Sequence, residues 1–222
     1  NNALGTSAGG VNVNGGGNTF LELQGGITVT GESFNFGATD AGLASSAGNN
    51  FWTGNIAVPS NARFVSTAGS VFTHTGTMTT DGDGATLLKM DAGTLVFAGD
   101  NTGLNNNNTF TLAGGKLVLD YSAGGNAGGS KLANGAGFIF GGTGNIGTVN
   151  PTTQNYGVNR QVYQTGATLE LVGGTHLEIV GSTTINAGQS SITRSSGTST
   201  LQMNGIGRGT GGTLDFGFNG IA

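Results

Sequence analysis

Short runs of alternating apolar and polar residues recur along the chain, separated by glycine, asparagine and serine. The clearest pair lies in the middle, where residues 93–97 (GTLVF) return 22 positions later as residues 115–119 (GKLVL). Alternation with a period of two predicts β-strands that have one buried face. Further runs of this kind occupy residues 11–13, 21–23, 27–30, 34–36, 51–58, 71–79, 138–140, 169–172, 176–180, 191–193, 201–203 and 214–216.

Strands of three to five residues are too short to form a stable hairpin sheet alone. They become stable when each strand pairs with the strands of neighbouring coils, about 4.8 Å away. A strand, a turn and a return to the same pattern after about 20–25 residues is typical of a solenoid. We therefore predict an all-β fold, a single-stranded right-handed parallel β-helix (β-solenoid) of about ten coils. The alternative is a β-sandwich, which requires longer strands and more regular turn signals.

One continuous solenoid is expected over residues 1–222, as a segment of a longer chain. The sequence begins without an initiator methionine or a signal peptide, and its strand-like pattern continues almost to the last residue. Residues 121–135 and 143–165 break the repeat, and we predict that both are loop excursions. A binding role for residues 143–165 is an alternative, because loops on rigid scaffolds often carry contacts.

Composition narrows the possible functions. The chain has 46 glycines but no collagen period, and only 8% of its residues are charged. Its net charge of −4 offers no basic surface for nucleic acid. No apolar run approaches 18 residues, which predicts that no segment spans a membrane. Neither a phosphate-binding loop nor a nucleophile motif is present, so we expect no cofactor and no enzyme activity.

Residues 87–102 (LLKMDAGTLVFAGDNT) resemble the autotransporter-associated (passenger-associated) β-strand repeat, whose pattern is L-x-K-x-G-x-G-T-L-x-L-x-G-x-N-T. Asp91 stands where the pattern has glycine, Phe97 stands where it has leucine, and the aromatic-Thr-Gly that usually follows is lost. The resemblance implies a right-handed β-helix in a large secreted or surface-attached bacterial protein. An extracellular or cell-surface location follows from it as an expectation.

Carboxylates two positions apart suggest a weak calcium site at Asp81 and Asp83, because hard cations prefer oxygen ligands. No glutamate follows at the EF-hand position, so a solvated turn is the alternative. Catalysis by a β-helix would need clustered carboxylates. Asp100 and Asp120 are one coil apart and are the best candidates for such a pair.

The two histidines, His74 and His176, lie in strand-like runs and are predicted to face solvent. Glu178 would share a strand face with His176, which leaves a surface ion site as an alternative. Exposed aromatic side chains could also stack on surface glycans. The candidates for such stacking are Trp52, Tyr121, Tyr156 and Tyr163.

The sequence therefore predicts a non-enzymatic structural segment: a stalk, an adhesin shaft or an element of an extracellular filament or matrix. The alternative is a carbohydrate-binding or polysaccharide-degrading β-helix protein. A solenoid end exposes apolar residues and unpaired strands, and no capping repeat is apparent. Such an end would be covered by neighbouring coils of a longer chain or by identical subunits stacked end to end. The sequence favours neighbouring coils of a longer chain. The residues expected at such a contact are Val11, Val13, Leu21, Leu23, Leu214, Phe216 and Phe218.

Overall fold

The computed structural model describes residues 9–15, 19–80, 84–122, 129–141, 145–146, 160–161 and 166–217. Within these residues all helical or strand structure is β, in 24 strands numbered β1 to β24 in chain order. Strands pair in parallel with the strands one coil before and one coil after them. The pair formed by β16 (Asn145–Ile146) and β17 (Arg160–Gln161) is antiparallel. The predicted parallel β-solenoid is confirmed.

Each full coil has three faces, which the chain visits in the same order. Face 1 has short strands in two separate sheets: β1 (Val11–Asn12), β4 (Phe34–Asn35), β7 (Ile56–Ala57) and β10 (Met78–Thr79), then β19 (Leu177–Val180) and β22 (Thr200–Met203). Face 2 is one sheet of β2 (Phe20–Gln24), β5 (Ala41–Ala47), β8 (Ala62–Ser66), β11 (Thr86–Met90), β13 (Thr109–Leu112), β15 (Gly137–Phe140), β20 (Ser182–Ile185) and β23 (Ile206–Arg208). Face 3 is one sheet of β3 (Thr28–Val29), β6 (Asn49–Trp52), β9 (Val71–His74), β12 (Thr94–Phe97), β14 (Gly115–Asp120), β18 (Ala167–Val172), β21 (Gly188–Arg194) and β24 (Gly212–Phe216).

Side chains of one kind stack in columns inside the solenoid. The central repeat is in the predicted register, because Leu95 pairs with Leu117 and Phe97 pairs with Leu119. The inward column of face 3 includes the polar Asn50, which pairs with Phe72. It continues with the aliphatic and aromatic side chains of Phe72, Leu95, Leu117, Leu169 and Ile192. These side chains belong to one continuous core cluster. Burial of such columns is the main stabilising contribution to the fold.

The number of coils is smaller than predicted. Faces 2 and 3 contain eight strands each, so seven steps, or about seven turns, separate their first and last strands. The prediction of about ten coils assumed 22 residues for every coil, whereas Leu117 pairs with Leu169, 52 positions later. Both predicted excursions, 121–135 and 143–165, fall in this long coil. Residues 143–165 lie largely outside the described residues, as do residues 123–128 of the first excursion, and both excursions stay predictions.

Two corner positions show how the sequence accommodates tight turns. Asp91 has φ of 67°, the left-handed region that glycine adopts most easily. Its Oδ1 accepts a hydrogen bond from the backbone N–H of Ala92 at 2.8 Å, a local contact that helps aspartate tolerate this conformation. Gly76 is needed for a different reason, since a Cβ there would lie 2.2 Å from the carbonyl oxygen of Gly54 on the preceding coil.

Candidate functional site

The regular ladder of face 1 is interrupted in the middle of the solenoid. Among the described residues, no strand of face 1 lies between β10 and β19, and one isolated bridge joins Thr79 to Gly103. Residues 129–136 cross this gap. Buried backbone groups need hydrogen-bond partners, so the gap requires another source of donors and acceptors.

Glu178 supplies the missing acceptors from the interior of β19. Its Oε2 accepts hydrogen bonds from the backbone N–H of Lys131 at 2.9 Å and from the Tyr121 hydroxyl at 2.6 Å. Its Oε1 accepts one from the backbone N–H of Leu132 at 3.0 Å. The carboxylate thus replaces the backbone carbonyls that an adjacent strand would provide.

The Lys131 side chain contacts the preceding coil, on the side opposite to Glu178. Its Nζ donates to the carbonyl oxygens of Ala98 at 2.9 Å and Gly99 at 3.0 Å, in the corner after β12. Asn101 Nδ2 donates to the Lys131 carbonyl at 2.9 Å. Residues 130–132 are therefore tied by side chains to the coils on both sides, and we call Tyr121, Lys131 and Glu178 the face 1 cluster.

Burial dominates the electrostatics of the face 1 cluster. All three side chains are buried, with exposed fractions of 0%. Burial raises the pKa of Glu178, although its hydrogen bond from Tyr121 opposes this shift. Burial and the nearby Glu178 carboxyl both raise the pKa of Tyr121, which keeps the phenol protonated as a donor. Burial lowers the pKa of Lys131, and Glu178, Asp100 and Asp120 oppose that shift.

His176 was predicted to face solvent, but its side chain packs against neighbouring residues. Its ring stacks on the Tyr121 ring at 5.1 Å between centroids, and its Nε2 lies 3.3 Å from Ser130 Oγ. Its Nε2 lies 3.7 Å from Glu178 Oε2, so the two residues are neighbours as the ion-site alternative required. Glu178 is inward, however, and no group of three potential metal ligands exists among the described residues.

The prediction that His74 faces solvent is wrong. It is fully buried in face 3, and its Nε2 lies 3.0 Å from the carbonyl oxygen of Gly54. Its Nδ1 has no hydrogen-bond partner among the described residues. Burial lowers the pKa of His74 to about 4, with the Gly54 hydrogen bond opposing. The ring is therefore a neutral core side chain at neutral pH.

Lys89, the lysine of the repeat-like segment, is another buried cation. Its Nζ donates to the carbonyl oxygens of Met90 at 2.7 Å, Asp91 at 2.8 Å and Gly114 at 3.2 Å. Gly114 belongs to the next coil, so the ammonium group joins two corners. Burial lowers its pKa to about 7, and Asp91 opposes the shift. A lysine at this position thus has a structural explanation.

The candidate catalytic pair forms two similar turns. Asp100 Oδ1 accepts hydrogen bonds from the backbone N–H and hydroxyl of Thr102, at 2.9 and 2.7 Å. Asp120 Oδ1 accepts the equivalent bonds from Ser122, at 2.8 and 2.6 Å. Each aspartate therefore stabilises a local turn, and both also act electrostatically on Lys131.

Two of the four proposed sugar-stacking residues are unsuited to that role. Trp52 and Tyr121 are fully buried, and Trp52 Nε1 donates to the Glu32 carbonyl at 2.8 Å. Tyr156 and Tyr163 lie outside the described residues, as do the calcium candidates Asp81 and Asp83. Phe51 is an aromatic residue whose side chain is exposed on the outer surface of face 3, with an exposed fraction of 38%.

The residues predicted for end-to-end contact lie on the terminal coils of the described solenoid. Val11, Val13, Leu21 and Leu23 are at one end, and Leu214 and Phe216 are at the other. Phe216 pairs with Ile192 and so continues the inward column of face 3, yet its exposed fraction is 46%. Phe218 lies outside the described residues.

The sequence interpretation missed the face 1 cluster and the role of Lys89. A signal for Lys89 was present, because Leu87 and Lys89 are two positions apart and must share a strand face. The partnership of Tyr121, Lys131 and Glu178 has no comparable signal. Tyr121 and Lys131 belong to the long coil and Glu178 belongs to the next one, so no regular spacing relates the three residues.

Comparisons with known proteins add no relative. No protein-family model, curated protein or solved structure matches the chain. Among the described residues there is also no helix long and apolar enough to cross a membrane.

Proposed function

We propose that the chain is a non-enzymatic structural segment of a secreted or cell-surface bacterial protein. A stalk, an adhesin shaft and an element of an extracellular filament or matrix are the forms that this role would take. The bacterial and extracellular parts of the proposal rest on the resemblance of residues 87–102 to the autotransporter-associated repeat.

The observation that carries the proposal is that the buried ionisable groups bind the protein backbone. The Lys89 and Lys131 ammonium groups bind backbone carbonyls, and the Glu178 carboxyl group binds backbone N–H groups. A catalytic acid or base must reach a substrate atom within hydrogen-bond distance. Fully buried groups engaged with the backbone favour a role in holding coils together.

A screen against acidic and neutral polysaccharides tests the proposal. We expect no release of reducing ends from any polymer by the purified 222-residue chain. The competing class is a polysaccharide-degrading enzyme. It would be established if the wild type shows turnover and Asp100→Ala or Asp120→Ala abolishes it, provided that these variants retain wild-type unfolding curves. If the chain instead binds a polysaccharide without turnover, and Phe51→Ala removes this binding, the chain is a carbohydrate-binding protein.

A further inference from the structure

One asparagine–glycine pair lies in residues 129–136, the segment that crosses the face 1 gap. Asparagine loses ammonia readily when glycine follows it, because glycine has no side chain to hinder attack by its backbone nitrogen. The chain contains four such pairs, which begin at Asn14, Asn134, Asn204 and Asn219, and residue 219 lies outside the described residues. Asn134 and Gly135 are both exposed, so water reaches the pair in the middle of the solenoid.

The side chain of Asn134 accepts a hydrogen bond from a hydroxyl group. Ser130 Oγ donates to Asn134 Oδ1 at 3.0 Å, and Ser130 itself is buried. Since the hydroxyl proton points to Asn134, His176 Nε2 is the donor in its 3.3 Å contact with Ser130 Oγ. A hydroxyl group that accepts a hydrogen bond becomes a stronger donor. The imidazole therefore strengthens the bond from Ser130 to the side-chain oxygen of Asn134.

The backbone nitrogen of Gly135 is free to approach this side chain. Its N–H donates to the carbonyl oxygen of Ile179 at 3.3 Å, which is long for a bond of this kind. Gly135 has φ of 88°, and a Cβ built there would have no heavy atom nearer than the Asn106 side chain at 3.8 Å. The peptide unit therefore has space to rotate toward Asn134 without displacing a neighbour.

We propose that Asn134 is a self-modification site, at which the folded protein converts asparagine to aspartate and isoaspartate. The Gly135 nitrogen loses its proton to solvent and attacks Asn134 Cγ. The new C–N bond closes a cyclic succinimide, and the side-chain nitrogen takes up a proton and leaves as ammonia. Water then opens the ring at one of its two carbonyl carbons, which gives aspartate or isoaspartate at position 134.

Ser130 is placed to assist the ring-closing step. Negative charge develops on Asn134 Oδ1 as the nitrogen attacks Cγ, and a donor that already points at this oxygen stabilises the charge. His176 does not touch the reacting atoms and acts through Ser130, as a positioning residue.

The product alters the segment in two ways. A new negative charge appears in the segment whose backbone N–H groups bind the Glu178 carboxyl group. Isoaspartate also lengthens the backbone of the turn in which Ala136 N–H donates to the carbonyl oxygen of Ala133 at 3.0 Å. Both changes loosen the contact between coils as the molecule ages. The reaction needs no enzyme and no partner, so the inference goes beyond the proposed structural role and does not depend on it.

Peptide mass mapping of the full chain after incubation at neutral pH measures the reaction. We expect a mass increase at Asn134 from replacement of the amide by a carboxyl group. Ser130→Ala should slow this conversion by about tenfold or more, since a donor to a developing charge is lost. Ser130→Thr keeps the hydroxyl group and is the matched control. Asn204 in the same samples is the internal reference, and its conversion should be the same in all three proteins.

Two further measurements keep the test decisive if Ser130→Ala loosens the fold. In urea, the wild type and Ser130→Ala should convert Asn134 at equal rates, because the hydroxyl group is no longer held against the side-chain oxygen. His176→Phe keeps a ring against Tyr121 but removes Nε2, so it should slow the conversion, by less than Ser130→Ala does.

Equal rates at Asn134 in the folded wild type, Ser130→Ala and His176→Phe would overturn the inference. It would also be overturned if Asn134 stays intact while Asn204 converts. Neither outcome affects the proposed structural role, which the polysaccharide screen tests separately.

Discussion

At the residue scale, His74 links the stability of the fold to pH. Its pKa is lowered to about 4 by burial, whereas an unfolded chain would have the ordinary value of 6.5. Between these values the unfolded state binds one more proton than the folded state, so stability falls as the pH falls from 6.5 to 4. We expect a contribution on the order of 3 kcal/mol to this loss.

Urea unfolding of the wild type and of His74→Leu at pH 7 and pH 4 measures this contribution. The variant removes the titrating group but keeps an apolar core side chain, so its stability should depend less steeply on pH. Carboxyl groups titrate in both proteins and cancel in the comparison. Equal losses of stability in the two proteins would show that His74 is not buried in its neutral form.

At the element scale, close approach between successive coils fixes the corners. A Cβ at Gly76 would lie 2.2 Å from the Gly54 carbonyl oxygen, a separation that requires the backbone to shift. We expect Gly76→Ala to lower the free energy of unfolding by about 1–3 kcal/mol, the usual cost of overpacking. The measurement is urea unfolding at pH 7.

Gly205→Ala is the matched control, because no heavy atom lies within 4 Å of the position that its Cβ would occupy. Its effect should stay within about 0.5 kcal/mol, as for most surface substitutions. Similar losses of stability in the two alanine variants would contradict the close coil contact at Gly76.

Strand positions were predictable because short alternating runs carry a period of two, but strand faces were predictable only in part. His74 lies two positions from Phe72, so alternation placed it inward, and the prediction of a solvated ring followed polarity instead. In β19 the apolar residues Ile179 and Val180 are adjacent, so alternation allows either face. The neighbouring strand decides, since Glu178 pairs with Leu201 and Val180 pairs with Met203.

At the scale of the whole molecule, local spacing predicted the class of fold but overestimated the number of coils. A 22-residue step is correct between Leu95 and Leu117, whereas the next step on face 3 takes 52 residues. Sequence length therefore does not translate directly into length along the solenoid. Two residues of the face 1 cluster, Tyr121 and Lys131, lie in this long coil, and Glu178 of the next coil binds them in place of the regular ladder.

The spacing between two outward residues of face 3 tests the solenoid most directly. Thr28 and Thr193 lie in one outward column, six steps apart through Phe51, Thr73, Val96, Val118 and Glu170. Spin labels on cysteines at these two positions would be the only labels, because the chain has no cysteine of its own. Pulsed electron resonance should give one distance near 29 Å, from six steps of about 4.8 Å. A distance of about 36 Å or more, as expected if every 22 residues formed a coil, would contradict the stack.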